Sequence, residues 1–287
     1  MEQKLYGGIE FGGTKTICAV SDANGKILST IKIPTTSVHE TFASIDEFFA
    51  DYPIAALGVA TFGPLNLDQN SPEFGYIYDT PKAGWEKVDI KGLLEKRLNV
   101  PVTIDTDVNG AALGELHFGA GREVKSLLYI GVGTGVGAGI IIDGKIHHGI
   151  LNTEVGHIRV PHEDFGDDFQ GICPYHKDCL EGIASGPAIK ARYGAPAEQI
   201  TDPLVWQREA QYIAYAIDDC MLSLDPELIV LGGGVMLHLG LIELIREEVA
   251  NDINGYQPFP DPESYIVAAS SNDIGVQGAL KLAIDQK

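Results

Sequence analysis

One pattern restricts the architecture of this chain more than any other: a strand, a glycine-rich turn carrying a threonine, and a second strand, written twice. It occurs at Gly12-Gly13-Thr14, between apolar stretches at 5–10 and 16–21, and again at Gly133-Thr134-Gly135, between 126–131 and 138–143. A unit that recurs in each half of 287 residues predicts a duplicated α/β chain. The two halves are expected to face each other across a cleft, a preferred place for ligands. The division is expected at 1–112, completed by 272–287, and 113–271.

The remaining elements fit that plan. Asn24-Gly25 predicts a hairpin into a third strand at 26–34. Phe42, Ile45, Phe48 and Phe49 share one helical face. Strands are expected at 55–61 and 101–104, and helices at 90–98 and 108–118. The second half continues with a helix at 206–224, a strand at 227–231, the turn Gly232-Gly233-Gly234, a helix at 239–251, a strand at 265–269 and a last helix at 274–283. Residues 66–84 are rich in Pro, Gly, Asp and Asn and read as a long loop, a kind that is usually functional or disordered.

Charge narrows the function. Asp and Glu number 40 against 20 Lys and Arg, a net charge of −20, which repels phosphate backbones and anionic membranes. Nucleic acid and membrane are therefore excluded as partners, while a phosphorylated small molecule would need local donors or a metal. The first residues carry no signal-peptide pattern, and no apolar run approaches a membrane span. Four cysteines, two of them in one loop, fit a reducing interior, so a cytoplasmic location is expected. Cys18 and Cys220 sit among apolar neighbours and read as core.

The loop at 151–181 holds Cys173, His176 and Cys179 at Cys-x-x-His-x-x-Cys spacing, with His157 upstream and Glu154 three residues before it. Two thiolates and two imidazoles make a four-coordinate structural zinc site and neutralise the dication. The alternatives are a Cys173–Cys179 disulfide or two unrelated buried thiols.

Glycines at strand-to-strand turns let backbone N–H groups approach an anion closely. Gly12, Gly13, Thr14 and Lys15 form one such turn and Gly133, Thr134 and Gly135 the other; taken together they favour a nucleotide triphosphate. Neither matches a nucleotide fingerprint, and singly each reads as a plain hairpin. Gly232-Gly233-Gly234 either admits a flat base or makes a tight strand-to-helix connection. Asp107 follows a strand beside Thr106 and Asn109. A carboxylate there can take a proton from an alcohol attacking phosphorus, or can merely cap the helix, and pattern alone favours the cap. Asp105 is the competing base. Glu154, His157 and Glu181 offer acceptors for sugar hydroxyls.

Read in order, Gly8-Ile9-Glu10-Phe11-Gly12-Gly13-Thr14-Lys15, Thr61-Phe62-Gly63-Pro64, Asp105-Thr106-Asp107-Val108-Asn109, the glycines from 131 to 139, Glu154-Val155-Gly156-His157, the Cys173 loop and Ser185-Gly186-Pro187 resemble the ROK family of sugar kinases and repressors. The Thr80-Pro81-Lys82 and Gly84-Trp85 loop and the form of the metal loop resemble its bacterial fructokinase branch in particular. The resemblance implies the α/β, two-lobed, actin-like ATPase fold (ribonuclease H-like, as in hexokinases) and a homodimer. It also implies ATP with Mg²⁺, a structural Zn²⁺, and phosphorylation of D-fructose at its 6-hydroxyl.

It implies Asp107 as general base and Gly63, Pro64, Thr106, Asn109, Glu154, His157 and Glu181 around the sugar. Gly12, Gly13, Thr14, Lys15, Gly133, Thr134, Gly135, Gly186, Pro187, Gly233, Gly234 and Val235 would surround ATP, and His157, Cys173, His176 and Cys179 would hold zinc. Thr106 stands where many family kinases have Asn, and Glu10 where many have Asp. Mannose or glucose is the alternative acceptor. A sugar-sensing repressor would need a helix-turn-helix ahead of Gly12, and a silent sugar-binding protein would have no use for Asp107 and two phosphate turns.

Overall fold

The computed structural model describes residues 4–80, 82–162 and 168–286. The chain separates into two compact units: Met1–Arg122 with Ile146–Asn152 and Asp273–Lys287, and Glu123–Lys145 with Thr153–Asn272.

The first unit is built on β1 (Leu5–Phe11), β2 (Lys15–Ser21), β3 (Ile27–Pro34), β4 (Ile54–Thr61) and β5 (Val102–Thr106), in the order β3-β2-β1-β4-β5. β1 to β3 form an antiparallel meander, and β4 and β5 run parallel to β1. The register places Phe11 beside Thr61 and Thr61 beside Thr106, so the three parallel strands end in one row. Ligand-binding residues of α/β sheets belong at that carboxyl edge. Here it carries the Gly12 turn, the Phe62-Gly63-Pro64 turn and Asp107.

Helices α1 (Val38–Phe49), α2 (Ile90–Leu98), α3 (Asp107–Phe118) and α9 (Ile274–Asp285) flank this sheet. Ser37 and Glu40 make a capping box at the start of α1, whose Phe42, Ile45 and Phe49 are buried. α3 and α9 pack at glycines: a Cβ on Gly278 would stand 1.7 Å from the Gly110 carbonyl, and one on Gly114 2.2 Å from that of Ile274. The expected boundary at residue 112 therefore falls inside a helix that runs unbroken to Phe118 and packs along α9, and the first unit extends to Arg122.

The second unit repeats the plan with β6 (Leu127–Val132), β7 (Val136–Ile142), β8 (Lys145–Ile146), β9 (Leu228–Gly232) and β10 (Ile266–Ala268), ordered β10-β9-β6-β7-β8. β6 and β7 form the glycine hairpin, and β9 and β10 run parallel to β6. The long helices α6 (Pro203–Leu224) and α7 (Leu241–Ile253) contribute most of the buried helix face. α6 starts at the Asp202 cap with Pro203 in its first turn and stops at Asp225 in the left-handed region.

Three short helices were not expected: α4 (Leu180–Ala184), α5 (Gly186–Tyr193) and α8 (Pro262–Tyr265). Gly182, Gly186 and Pro187 break the apolar periodicity that would announce the first two. Residues 66–84 contain no regular element among those described, as expected, and are closed by bridges from Leu65 to Ile77 and from Tyr76 to Asp89. Pro81 of this loop, and 163–167 of the cysteine loop, lie outside the described residues. No described helix is long and apolar enough to cross a membrane.

Candidate active site

At the end of β5 the chain presents Asp105, Thr106 and Asp107 in succession, and the structure separates their roles. Thr106, not Asp107, is the helix cap: its hydroxyl accepts the Asn109 N–H at 3.2 Å. The cap expected at Asp107 is thereby corrected, because extended φ/ψ at Thr106 lets its own side chain turn back onto the helix. Asp105 is buried at 4% exposure. Its Oδ1 accepts the Thr106 N–H at 2.8 Å and the Asn109 side-chain amide at 2.7 Å, and its Oδ2 meets His148 Nε2 at 2.7 Å. A carboxylate with both oxygens so committed is poorly placed to accept a substrate proton.

Asn109 is fully buried; its amide N–H₂ donates to Asp105 and, at 3.0 Å, to Asn152. Two acceptors on one side fix which end of the amide is which. Asn109 thus braces the Asp105 turn. Asp107, the first residue of α3, is half-buried and accepts its neighbour Val108 N–H at 2.9 Å.

Glu10, near the end of β1, lies against the first turn of α9: a Cβ on Gly275 would fall 2.7 Å from its carboxyl carbon. Its Oε2 is buried with no hydrogen-bond partner among the described residues. Burial, then the charges of Asp107 and Asp273, push its carboxyl up to about 7, against the pull of Lys15 and the Val276 amide. An orphaned carboxylate oxygen with two further carboxylates near it is an all-oxygen donor set, the kind that suits a hard divalent cation such as Mg²⁺. Gly12, Gly13, Thr14 and Lys15 follow directly, the last three exposed. Gly63 and Pro64, joined by a cis peptide, follow β4.

In the second unit the turn at Gly133, Thr134 and Gly135 closes with the Gly133 N–H on the Gly135 carbonyl at 2.8 Å. The Gly186 N–H donates to the Gly133 carbonyl at 2.8 Å, so the start of α5, with Pro187, is bonded to this turn. A Cβ on Gly133 would lie 3.6 Å from the Gly234 nitrogen, and Gly233 holds φ +94°, where a Cβ would stand 2.3 Å from the Val132 carbonyl oxygen. Three stretches distant in sequence, ending with the buried Val235, meet at one bare backbone surface. Glu181, in the first turn of α4, accepts the Val136 N–H at 3.0 Å and so ties that hairpin to the cysteine loop. The Glu154 carboxyl is raised, first by desolvation and then by Glu181, with His157 opposing.

The cysteine loop brings its four expected ligands together. The ligand atoms of His157, Cys173, His176 and Cys179 all lie within 4.8 Å of one another. His157 Nδ1 stands 3.5 Å from Cys179 Sγ and 3.8 Å from Cys173 Sγ, and His176 Nδ1 is 3.8 Å from Cys173 Sγ. Tetrahedral zinc at ordinary bond lengths separates its ligands by roughly 3.3–3.8 Å, so these three separations suit the ion. All four cysteines are free thiols, which removes the disulfide alternative. Burial pushes the Cys179 thiol up to about 11; ionising it calls for a neighbouring cation. The chain folds tightly to achieve this: Cys173 and Lys177 exchange backbone bonds, Lys177 has φ +62°, and Gly171 and Gly182 would each place a Cβ within 2.0 Å of the Lys177 carbonyl.

Sequence reasoning passed over His148 and Asn152, which hold Asp105 and Asn109, and Lys82, which donates to the Gly13 carbonyl at 2.6 Å. Spacing does not announce these contacts, since each reaches a turn distant in sequence, although the Thr80-Pro81-Lys82 pattern marks the loop that carries Lys82.

Comparison with known proteins agrees with this geometry. The ROK family model matches residues 6–286. The chain is 42% identical over 281 residues to a fructokinase of Pediococcus pentosaceus, covering 97% of each chain. It is 43% identical over 287 residues to a fructokinase of Streptococcus mutans, covering 98% of this chain and 97% of that one. Among solved structures it resembles a ROK family glucokinase from Streptomyces griseus, in complex with glucose and AMPPNP. There the TM-score is 0.78 at 26% identity, over 98% of this chain and all of the other. With two five-stranded α/β sheets of one topology, and the actin-like ATPase fold of those kinases, the chain belongs to the ROK family.

Proposed function

We propose that this protein is an ATP-dependent sugar kinase that transfers the γ-phosphoryl group of ATP to the 6-hydroxyl of D-fructose. The observation that carries the reading is the disposition of Asp107. Asp107 stands half-buried at the first position of α3, where β5 ends, beside a Thr106 that caps the helix and an Asp105 held by Asn109 and His148. It takes the proton of the attacking hydroxyl, which raises the nucleophilicity of the oxygen as it approaches phosphorus.

The glycine turns at Gly12-Gly13-Thr14-Lys15 and Gly133-Thr134-Gly135 present N–H groups and threonine hydroxyls to the phosphates, with Gly186, Pro187, Gly233, Gly234 and Val235 beside the nucleoside. Glu154, His157 and Glu181 meet sugar hydroxyls. Gly63, Pro64 and Thr106 stand beside the sugar, and Asn109 acts there through Asp105. Positioning and charge stabilisation supply most of the rate enhancement in phosphoryl transfer. Glu10, with Asp273, would hold Mg²⁺, which when bound neutralises charge on the β- and γ-phosphates. Zn²⁺ on His157, Cys173, His176 and Cys179 would hold the loop that carries Glu154. The two units serve as the lobes of a cytoplasmic, homodimeric enzyme.

Fructose as acceptor is supported by the two fructokinase relatives at 42% and 43% identity. A panel of hexoses with ATP and Mg²⁺, read as relative kcat/KM, tests it. Fructose should lead; a larger value for glucose or mannose would reassign the acceptor, and no turnover with any hexose would sink the kinase reading.

A further inference from the structure

The loop at 66–84 carries a lysine that the reaction as drawn does not use. Lys82 Nζ donates to the Gly13 carbonyl at 2.6 Å and to the Thr35 carbonyl at 2.9 Å. The rest of the first phosphate turn is held from the same quarter. Thr35 donates its N–H to the Thr14 carbonyl at 2.9 Å and its hydroxyl to the Gly12 carbonyl at 2.8 Å. All three carbonyls of the turn are therefore tied, two by Thr35 and the middle one by Lys82. The N–H groups of Gly13 and Thr14 have no acceptor among the described residues, and both residues are exposed. Fixing a run of carbonyls on one side leaves the intervening amides available on the other, the arrangement that binds anions.

Lys82 is itself anchored. Trp85, three residues on and fully buried, donates its N–H to the Lys82 carbonyl at 3.1 Å and its indole N–H to the Thr36 carbonyl at 2.8 Å. Among the described residues no carboxylate lies within ion-pair distance of the Lys82 ammonium. Both of its acceptors are neutral, so its charge stands uncompensated at this turn in a chain of net charge −20.

We propose that Lys82 is a positioning residue for the nucleotide's phosphate tail: it sets the Gly13 peptide so that the amides of Gly13 and Thr14 face the phosphates, and adds a positive charge there. This rests on the kinase reading and assigns a part in it to the Thr80–Trp85 loop. The test compares Lys82→Met and Lys82→Arg with wild type in the full-length chain, measuring ADP and fructose affinities by calorimetry and both KM values in a coupled assay.

Losing a charged donor should weaken ADP binding and raise the KM for ATP by roughly tenfold, leaving fructose affinity unchanged. Lys82→Arg should restore most of the loss, and the ADP affinity of Lys82→Met should depend less steeply on salt than that of wild type. If Lys82→Met does not fold, Lys82→Gln carries the same comparison. Unchanged ADP affinity overturns the proposal, as does a parallel fall in ADP and fructose affinity with a lowered melting temperature. A wild-type protein that binds no ADP overturns the kinase reading, and this inference with it.

Discussion

Replacing Glu10 by Gln separates stability from function in a way that can be calculated. Burial and the charges of Asp107 and Asp273 move its carboxyl from 4.5 to about 7 in the folded protein. A raised acid binds a proton more tightly folded than unfolded, so stability is full below the unfolded value and falls as pH rises through the folded one. At 1.36 kcal/mol per pH unit the charged carboxylate costs about 3 kcal/mol at pH 8 and under about 1 kcal/mol at pH 5. Glutamine keeps the shape and removes the charge. Glu10→Gln should therefore raise the melting temperature of the ligand-free protein by roughly 6–12 °C at pH 8 and change it little at pH 5. The same variant should weaken the Mg²⁺ dependence of ADP binding, because the orphaned oxygen that the cation would satisfy is gone. Scanning calorimetry across pH, with ADP titrations at varied Mg²⁺, gives both readouts. A variant no more stable than wild type at pH 8 would refute the reasoning, and so would an equal gain at both pH values.

Three further outcomes are expected. The hydrogen bond to Asp105, against burial, raises the His148 imidazole above its ordinary value, so that contribution is complete below pH 6.5 and is lost as pH rises through the raised value. With the ring partly exposed, His148→Gln should cost about 1 kcal/mol in urea unfolding at pH 6 and less at pH 9. Removing metal with a chelator should release about one zinc per chain, lower the melting temperature and weaken fructose binding; unchanged sugar affinity in metal-free protein would detach the loop from the sugar. Gly135→Ala would place a Cβ 2.6 Å from Glu181 Oε2, the atom that accepts the Val136 N–H. It should cost about 1–3 kcal/mol of stability and raise the KM for ATP, both readable from melting curves and initial rates.

The frame of the molecule was legible because its signals are local. Glycine with threonine between β-branched runs announces a strand-to-strand turn, and the observed ends of β1, β2, β6 and β7 lie within two residues of those expected. The cysteine loop was legible because three of its ligands are three residues apart. At the end of β5 sequence was insufficient: Thr106 and Asp107 are both good caps, and only the backbone angles at Thr106 decide between them. The partners of that turn were hidden for another reason. His148 reaches Asp105 across 43 positions and Lys82 reaches Gly13 across 69, and no periodicity encodes such a pairing. The helices α4 and α5 escaped because glycine and proline, which ordinarily mark loops, here sit at a cap and a first turn.

Asp107→Asn is the most direct test, since Thr106 is the cap of α3 and asparagine keeps an oxygen for the Val108 N–H, so the helix should stay intact. Turnover with ATP and fructose should fall by roughly 10²–10⁴-fold, while the melting temperature and the affinity for fructose stay at wild-type values. A variant that still turns over at close to the wild-type rate would show that the proton leaves by another route and that Asp107 is not the base.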